Sequence, residues 1–264
     1  MSEEPMANNQ ITWNGGLQEE AVELLRTPGH IVVTPTKVGY IIATSDREGL
    51  ERKFAVKHRK RNKPGVVLCG SIEQLKELAQ LTPEIEKFYQ TCVDRDILMG
   101  CILPWKEGAQ EKYLPEGASE LATDVRGTSC FVLKFGVPGE NIARELWDKE
   151  RKLVFASSAN PSGKGNRGLV EGIGDEIANE ADLVIEGDSY VASIQPDKSI
   201  ETRYEQGVMV SMVDADGTIV PEQHGERGIT PCPTLIRKGV YNDEIVLILS
   251  EQFNSWDFRQ GAYY

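Results

Sequence analysis

The sequence predicts an α/β fold, a mixed twisted sheet with flanking helices. Three observations predict it. β-rich runs and helical stretches interleave along almost the whole chain, the pattern of a sheet with helices packed on it. No repeat or low-complexity linker divides the sequence. Its 264 residues suffice for one large core.

The elements follow in order. Residues 1–16 read as a loose polar tail. LQEEAVELLRTPG is an amphipathic helix, with Leu17, Ala21, Val22, Leu24 and Leu25 apolar and Pro28-Gly29 ending it. HIVVTP (30–35) and GYIIAT (39–44) are strands joined by a turn around Thr36. A helix over about 46–57 leads to the strand GVVLCG (65–70). Helices are expected at about 71–80 and 83–93, the second opened by Thr82-Pro83 as cap and first-turn residue. The stretch from Cys101 to Gly127 is rich in Gly, Pro and charge and reads mostly as loop. CFVLKF (130–135) is a strand, ENIARELWDKE (140–150) a helix, and LVFASSA (153–159) a strand running into the turn Asn160-Pro161-Ser162-Gly163. VEGIGDEIANE reads as a helix, DLVIEGD (182–188) as a strand, and VMVSMVDADG (208–217) as a strand entering an Asp-Gly turn. PTLIRKGV is one more strand, YNDEIVLIL a strand or a helix, and the aromatic end SWDFRQGAYY is expected to pack on the body. Residues 17–217 thus form the main domain, and 218–264 an extension packed on it or continuing it.

Charge narrows the function classes. A net charge of -12 argues against a protein that binds duplex nucleic acid mainly through phosphates. Phosphate binding is expected to be local, on the scale of a nucleotide. AVKHRKRNKPGV (55–66) has that scale, with Lys57, Arg59, Lys60, Arg61 and Lys63 beside His58. No segment approaches eighteen consecutive apolar residues, so no membrane span is expected. The start MSEEPMANNQ lacks the basic and apolar parts of a secretory leader. Five scattered cysteines without ligand spacing read as reduced thiols, and the expected location is the cytoplasm. His30, His58 and His224 lie far apart, and no metal site is expected.

Four segments hold candidate chemistry: TPTKVGY (34–40), KHRKRNKP (57–64), SSANPSG (157–163) and VSMVDADG (210–217). All fall at strand or helix ends, where α/β proteins place ligands. Taken singly each has a plain structural explanation. Thr36 caps a turn, Lys57 and Arg59 complement a helix C-terminus, Ser158 and Asn160 satisfy turn backbone groups, and Asp214 is a turn residue.

In combination the segments resemble the YrdC-like family, the threonylcarbamoyl-adenylate synthases. Pro35-Thr36 and Tyr40 match the family's early turn. Lys57, Arg59 and Pro64 match its Lys-x-Arg with a Pro five residues on. Ser158-Ala159-Asn160-Pro161-Ser162-Gly163 matches its Ser-Ala-Asn-x-Ser-Gly turn. DLVIEGD and VSMVD resemble the two strands that follow, and the likeness spans roughly residues 17–217. It implies synthesis of a carbamoyl-type adenylate from ATP, bicarbonate and an amino acid, linked to threonylcarbamoyladenosine modification of tRNA. A carbamate oxygen attacks the α-phosphate and pyrophosphate leaves. Mg²⁺ arrives with the nucleotide. Fixed cations and donors should surround the phosphates. The resemblance gives that role to Lys57 and Arg59, with Thr36, Tyr40, Ser158, Asn160 and Ser211 binding substrate and nucleotide. Lys60, Arg61 and Lys63 form a solvated rim.

The sequence departs from the family at the acyl end. The early turn's second Thr falls on Val38, and Lys37 before it is expected to point to solvent. The Trp-Pro-Gly-Pro segment is missing, LPWKEG (103–108) holding Pro and Trp in the wrong order. The Gly-x-Arg-x-Pro strand end is absent too, leaving Lys134, or Arg126 from a longer loop, as the nearby cation. L-threonine is therefore expected to be a poor acceptor. Two other classes stay open: binding of double-stranded RNA through a basic patch from Arg52 to Lys63, and a regulatory protein that holds a nucleotide without turnover.

Overall fold

The computed structural model describes residues 9–58, 64–161 and 164–261. Its strands are β1 (Gln10–Thr12), β2 (Val32–Thr36), β3 (Gly39–Thr44), β4 (Val66–Leu68), β5 (Met99–Pro104), β6 (Thr128–Leu133), β7 (Val154–Ser158), β8 (Leu183–Glu186), β9 (Met209–Ser211), β10 (Thr234–Arg237) and β11 (Asp257–Phe258). They hydrogen-bond into one sheet in the order β1-β8-β2-β3-β7-β4-β6-β5-β9-β10-β11. The sheet is mixed: β2-β3, β3-β7, β7-β4, β6-β5 and β9-β10 are antiparallel and the other pairs parallel. This is the mixed α/β architecture that the interleaved pattern predicts.

Helices α1 (Glu19–Arg26), α2 (Arg47–Val56), α3 (Ile72–Leu78), α4 (Pro83–Asp94), α5 (Ala109–Tyr113), α6 (Ser119–Ala122), α7 (Val137–Glu150), α8 (Asp175–Glu180), α9 (Asp188–Ile194) and α10 (Asn242–Gln252) flank the sheet. Local chemistry starts several of them. Asp46, Ser71 and Thr82 each accept a hydrogen bond from a first-turn backbone N–H of α2, α3 and α4, satisfying donors that have no partner inside the helix. The alternation of side chains along a strand then divides the sheet's residues. Val67, Phe131, Phe155 and Val210 join the largest core cluster with Leu75, Phe88 and Ile248 from α3, α4 and α10. Their neighbours Val66, Leu68, Val132, Ala156 and Met209 line a cavity instead.

The structure corrects four expectations. Gln10–Thr12 is not loose tail but strand β1, parallel to β8, and Trp13 packs edge-on against Tyr190 at 5.1 Å. A polar edge strand needs only backbone partners, so its side chains carry no pattern. Met99–Pro104, partly inside the expected loop, is β5, between β6 and β9. It is buried almost throughout, and such a strand shows a continuous apolar run rather than alternation. The single helix expected at 170–180 is a 3₁₀ turn, Val170–Ile173, and then α8. Gly174 at φ +82° separates them. Lys37 is buried, as described below. YNDEIVLIL, read as strand or helix, is α10, which buries Ile245, Ile248 and Leu249 at helical spacing.

Candidate functional site

The β2-β3 hairpin and the end of β7 meet at the candidate site. Ile41 on β3 pairs with Ser158 on β7, so the early turn and the Ser-Ala-Asn turn lie side by side. A cavity of about 210 Å³ opens beside them, and Thr36, Tyr40 and Ser158 are among its lining residues. Lys57, the residue that ends α2, reaches across to β7. Its Nζ donates to the Ser158 carbonyl and lies 3.2 Å from the Ser158 hydroxyl. Two residues 101 positions apart thus share one contact. Lys57 is largely buried while Ser158 is exposed, so the hydroxyl of a surface residue accepts from a fixed cation. Arg59, together with Lys60, Arg61 and Lys63, lies outside the described residues.

The other expected site residues divide. Thr36 Oγ1 donates to Gly39 O at 2.8 Å and accepts from Val38 N at 3.2 Å, holding the hairpin turn. The Tyr40 ring is buried. Its hydroxyl donates to Asp188 Oδ1 and accepts from Gly187 N at 2.8 Å. Burial, with the Asp188 hydrogen bond, pushes the Tyr40 phenol far above its ordinary value. Burial also raises the Asp188 carboxyl. Asn160 turns its amide onto its own loop, to the carbonyls of Pro161 and Lys164. Ser211 is fully buried on β9, donates to Val213 O at 3.2 Å and does not line the cavity.

Lys37 does not point to solvent. Its side chain is 2% exposed and its Nζ lies 3.0 Å from Asp96 Oδ1. Lys134 pairs with the same carboxylate at 2.9 Å and with Glu140 at 3.6 Å. Burial lowers the Lys37 pKa against the pull of Asp96. Burial works to raise the Asp96 carboxyl, but hydrogen bonds from Lys134 and Lys37 outweigh it and hold the group below its ordinary value. Both cations near the missing Gly-x-Arg-x-Pro end are therefore occupied internally. Arg126, at the other end of β6, is held by Asp124 and the Asp214 carbonyl.

Sequence reasoning missed Asn166. It is 5% exposed, and its amide donates to the carbonyls of Tyr40 and Ala159, each at 3.1 Å. Its Oδ1 accepts from Tyr40 N and Gly168 N. One side chain thus ties the hairpin to the Ser-Ala-Asn turn. Gly39, at φ +117°, makes room for it, since a Cβ there would lie 2.2 Å from Asn166 Oδ1. No spacing rule points to an asparagine whose partners are all backbone.

The cavity beyond these residues is largely apolar, with Ser157, Glu205, Gln206 and Arg237 as its polar lining. Val38 lines it at the position of the family's second Thr, with Ile41, Leu68, Val132 and Phe135. Gly100 keeps its floor low: a Cβ there would sit 3.0 Å from Cys130 Sγ and 3.2 Å from Val132 Cγ2.

Residues 24–208 match the model of the Sua5/YciO/YrdC family, which carries the description telomere recombination. The chain belongs to that family. Among curated proteins none matches this sequence. Among solved structures, a hypothetical protein from Streptococcus mutans UA159, smu.1377c, is 60% identical with a TM-score of 0.92, over 97% of this chain and 100% of that one. P. abyssi Sua5 complexed with L-threonine is 20% identical with a TM-score of 0.57, over 88% of this chain and 57% of that one. E. coli YciO is 16% identical with a TM-score of 0.55, over 84% of this chain and 88% of that one. These last two likenesses concern the fold. Among the described residues no helix is long and apolar enough to cross a membrane.

Proposed function

We propose that this Sua5/YciO/YrdC protein binds ATP at Lys57, Arg59 and Ser158 and forms a carbamoyl-type adenylate on an acceptor other than threonine. The observation that carries the reading is the contact between Lys57 and Ser158 at the edge of the cavity. It sets an ammonium and an exposed hydroxyl side by side, donors suited to phosphate oxygens. Mg²⁺ would enter as part of the nucleotide substrate and offset phosphate charge. The acceptor's carbamate oxygen bonds to the α-phosphorus as the bond to the β-phosphate oxygen breaks, and pyrophosphate leaves. Lys57 stabilises the charge that builds on the phosphates, and no protein nucleophile is needed. Membership of the family supports a role in tRNA modification or in nucleotide or RNA binding. The net charge of -12 favours the nucleotide.

Pyrophosphate release tests the reading, with ATP, Mg²⁺, bicarbonate and a panel of amino acids supplied. Release with an acceptor other than threonine is expected. Release with threonine alone at an ordinary enzymatic rate overturns the altered acceptor. ATP binding without release under any acceptor supports the regulatory alternative. Arg59→Ala is expected to weaken ATP binding roughly ten- to a hundredfold, and Arg61→Ala much less.

A further inference from the structure

We propose that Arg237 is the carboxylate anchor of the cavity and that the cavity takes a compact α-amino acid with an apolar side chain. Arg237 ends β10, beyond the segment matched by the family, yet it lines the same cavity as Val38 and Ser158. Its Nε donates to Gly207 O at 3.0 Å, which ties the guanidinium to the segment leading into β9. Among the described residues it has no carboxylate within ion-pair distance. A half-buried guanidinium in a largely apolar cavity, with terminal nitrogens uncommitted, matches the two-oxygen fork of a carboxylate. Burial pushes the thiol of Cys130 up to about 12, and the Arg237 charge is the opposing influence on it, so the guanidinium acts over the cavity floor.

The remaining lining decides what the carboxylate is attached to. Most of it, with Val38, Leu68, Val132, Phe135 and Met209, offers no hydrogen bond to a side-chain hydroxyl, and Ser157 is the buried hydroxyl of the lining that has no partner among the described residues. A polar group desolvated against them without a partner costs binding energy. Glu205, whose carboxylate accepts from Arg167 N at 2.7 Å, also lines the cavity and carries the opposite charge to Arg237. That pairing suits a zwitterion and works against a second carboxylate. The cavity, of about 210 Å³, has room for one compact amino acid. The inference rests on the acceptor reading of the cavity, but it concerns a different residue and a separate ligand.

Valine and threonine are close to isosteric and differ by methyl against hydroxyl, so they are the probes. Each is titrated calorimetrically into the wild-type chain, R237M and R237K, and ATP is titrated separately into all three. Valine is expected to bind at least about tenfold more tightly than threonine, a preference apolar pockets achieve. R237M is expected to weaken valine about tenfold to a hundredfold, R237K to recover part of the loss, and ATP affinity to stay unchanged. Equal binding of the two amino acids overturns the apolar assignment. Undiminished valine binding by R237M, or no valine binding by a folded wild type, overturns the anchor. Valine binding without ATP binding leaves this inference standing and removes the adenylate reading.

Discussion

Lys57 Nζ donates to the carbonyl of Ser158, joining the end of α2 to the end of β7. The bond leaves the Ser158 hydroxyl 3.2 Å away and exposed. Lys57→Met keeps most of the buried stem and removes the charge. It is expected to weaken ATP binding roughly ten- to a hundredfold, the worth of a charge-assisted bond. Ser158→Ala removes one neutral donor and is expected to cost roughly two- to tenfold. Isothermal titration with ATP and Mg²⁺ measures both, and unchanged affinity in Lys57→Met removes Lys57 from the phosphate site.

Asn166→Ala withdraws a partner from Tyr40 N, Ala159 O and Gly168 N, while the Tyr40 carbonyl keeps its bond from Ala159 N. Buried groups left unpaired cost about 1–3 kcal/mol each before the chain relaxes or water enters. A net loss of about 2–3 kcal/mol is expected, read by urea denaturation. ATP affinity should fall as well, because the Ser-Ala-Asn turn is then tied to the hairpin by the β3-β7 ladder and the Ala159 N bond alone.

Tyr40→Phe separates scaffold from ligand. The hydroxyl is taken up by Asp188 and Gly187 N, so its removal should cost about 1–2 kcal/mol of stability and leave ATP affinity within about twofold. A large loss of affinity at unchanged stability would assign the phenol to substrate.

Asp96 carries an acid dependence. Its carboxyl lies below the ordinary range in the folded chain, the lysine hydrogen bonds outweighing the opposing effect of burial. Such a group stabilises the fold above its unfolded pKa of about 3.9, and that contribution disappears as pH falls through the lower folded value. Asp96→Asn should lose roughly 1–2 kcal/mol near neutral pH, where buried Lys37 is left without its counterion. The loss is smaller than for a fully buried pair because Asp96 is open to water. The gap between variant and wild type should close below pH 4 in denaturation measured across pH. A gap constant from pH 7 to pH 3 contradicts the ion pair.

The sequence made the β2-β3 hairpin, α2, β7 and the Lys57 and Ser158 positions legible. Their signals are local: period, caps and spacing. β5 was not legible, because burial on both sides erases alternation. Arg237 and Asn166 were hidden for another reason. Each acts through contacts with backbone far away in the chain, Gly207 O for one and Tyr40 for the other. Lys37 was misread because its partner, Asp96, lies 59 residues on.

The sheet's outermost strands have a consequence for self-association. An open strand edge is a template for pairing with another chain, and among the described residues the edges are Gln10–Thr12 and Asp257–Phe258, three and two residues long. Neither offers a ladder long enough to seed a foreign strand. A chain stopped at residue 217 would end instead at β9, every residue of which is buried, with its unpaired side facing water. Residues 218–261 therefore act as a guard against aggregation, whatever the cavity binds.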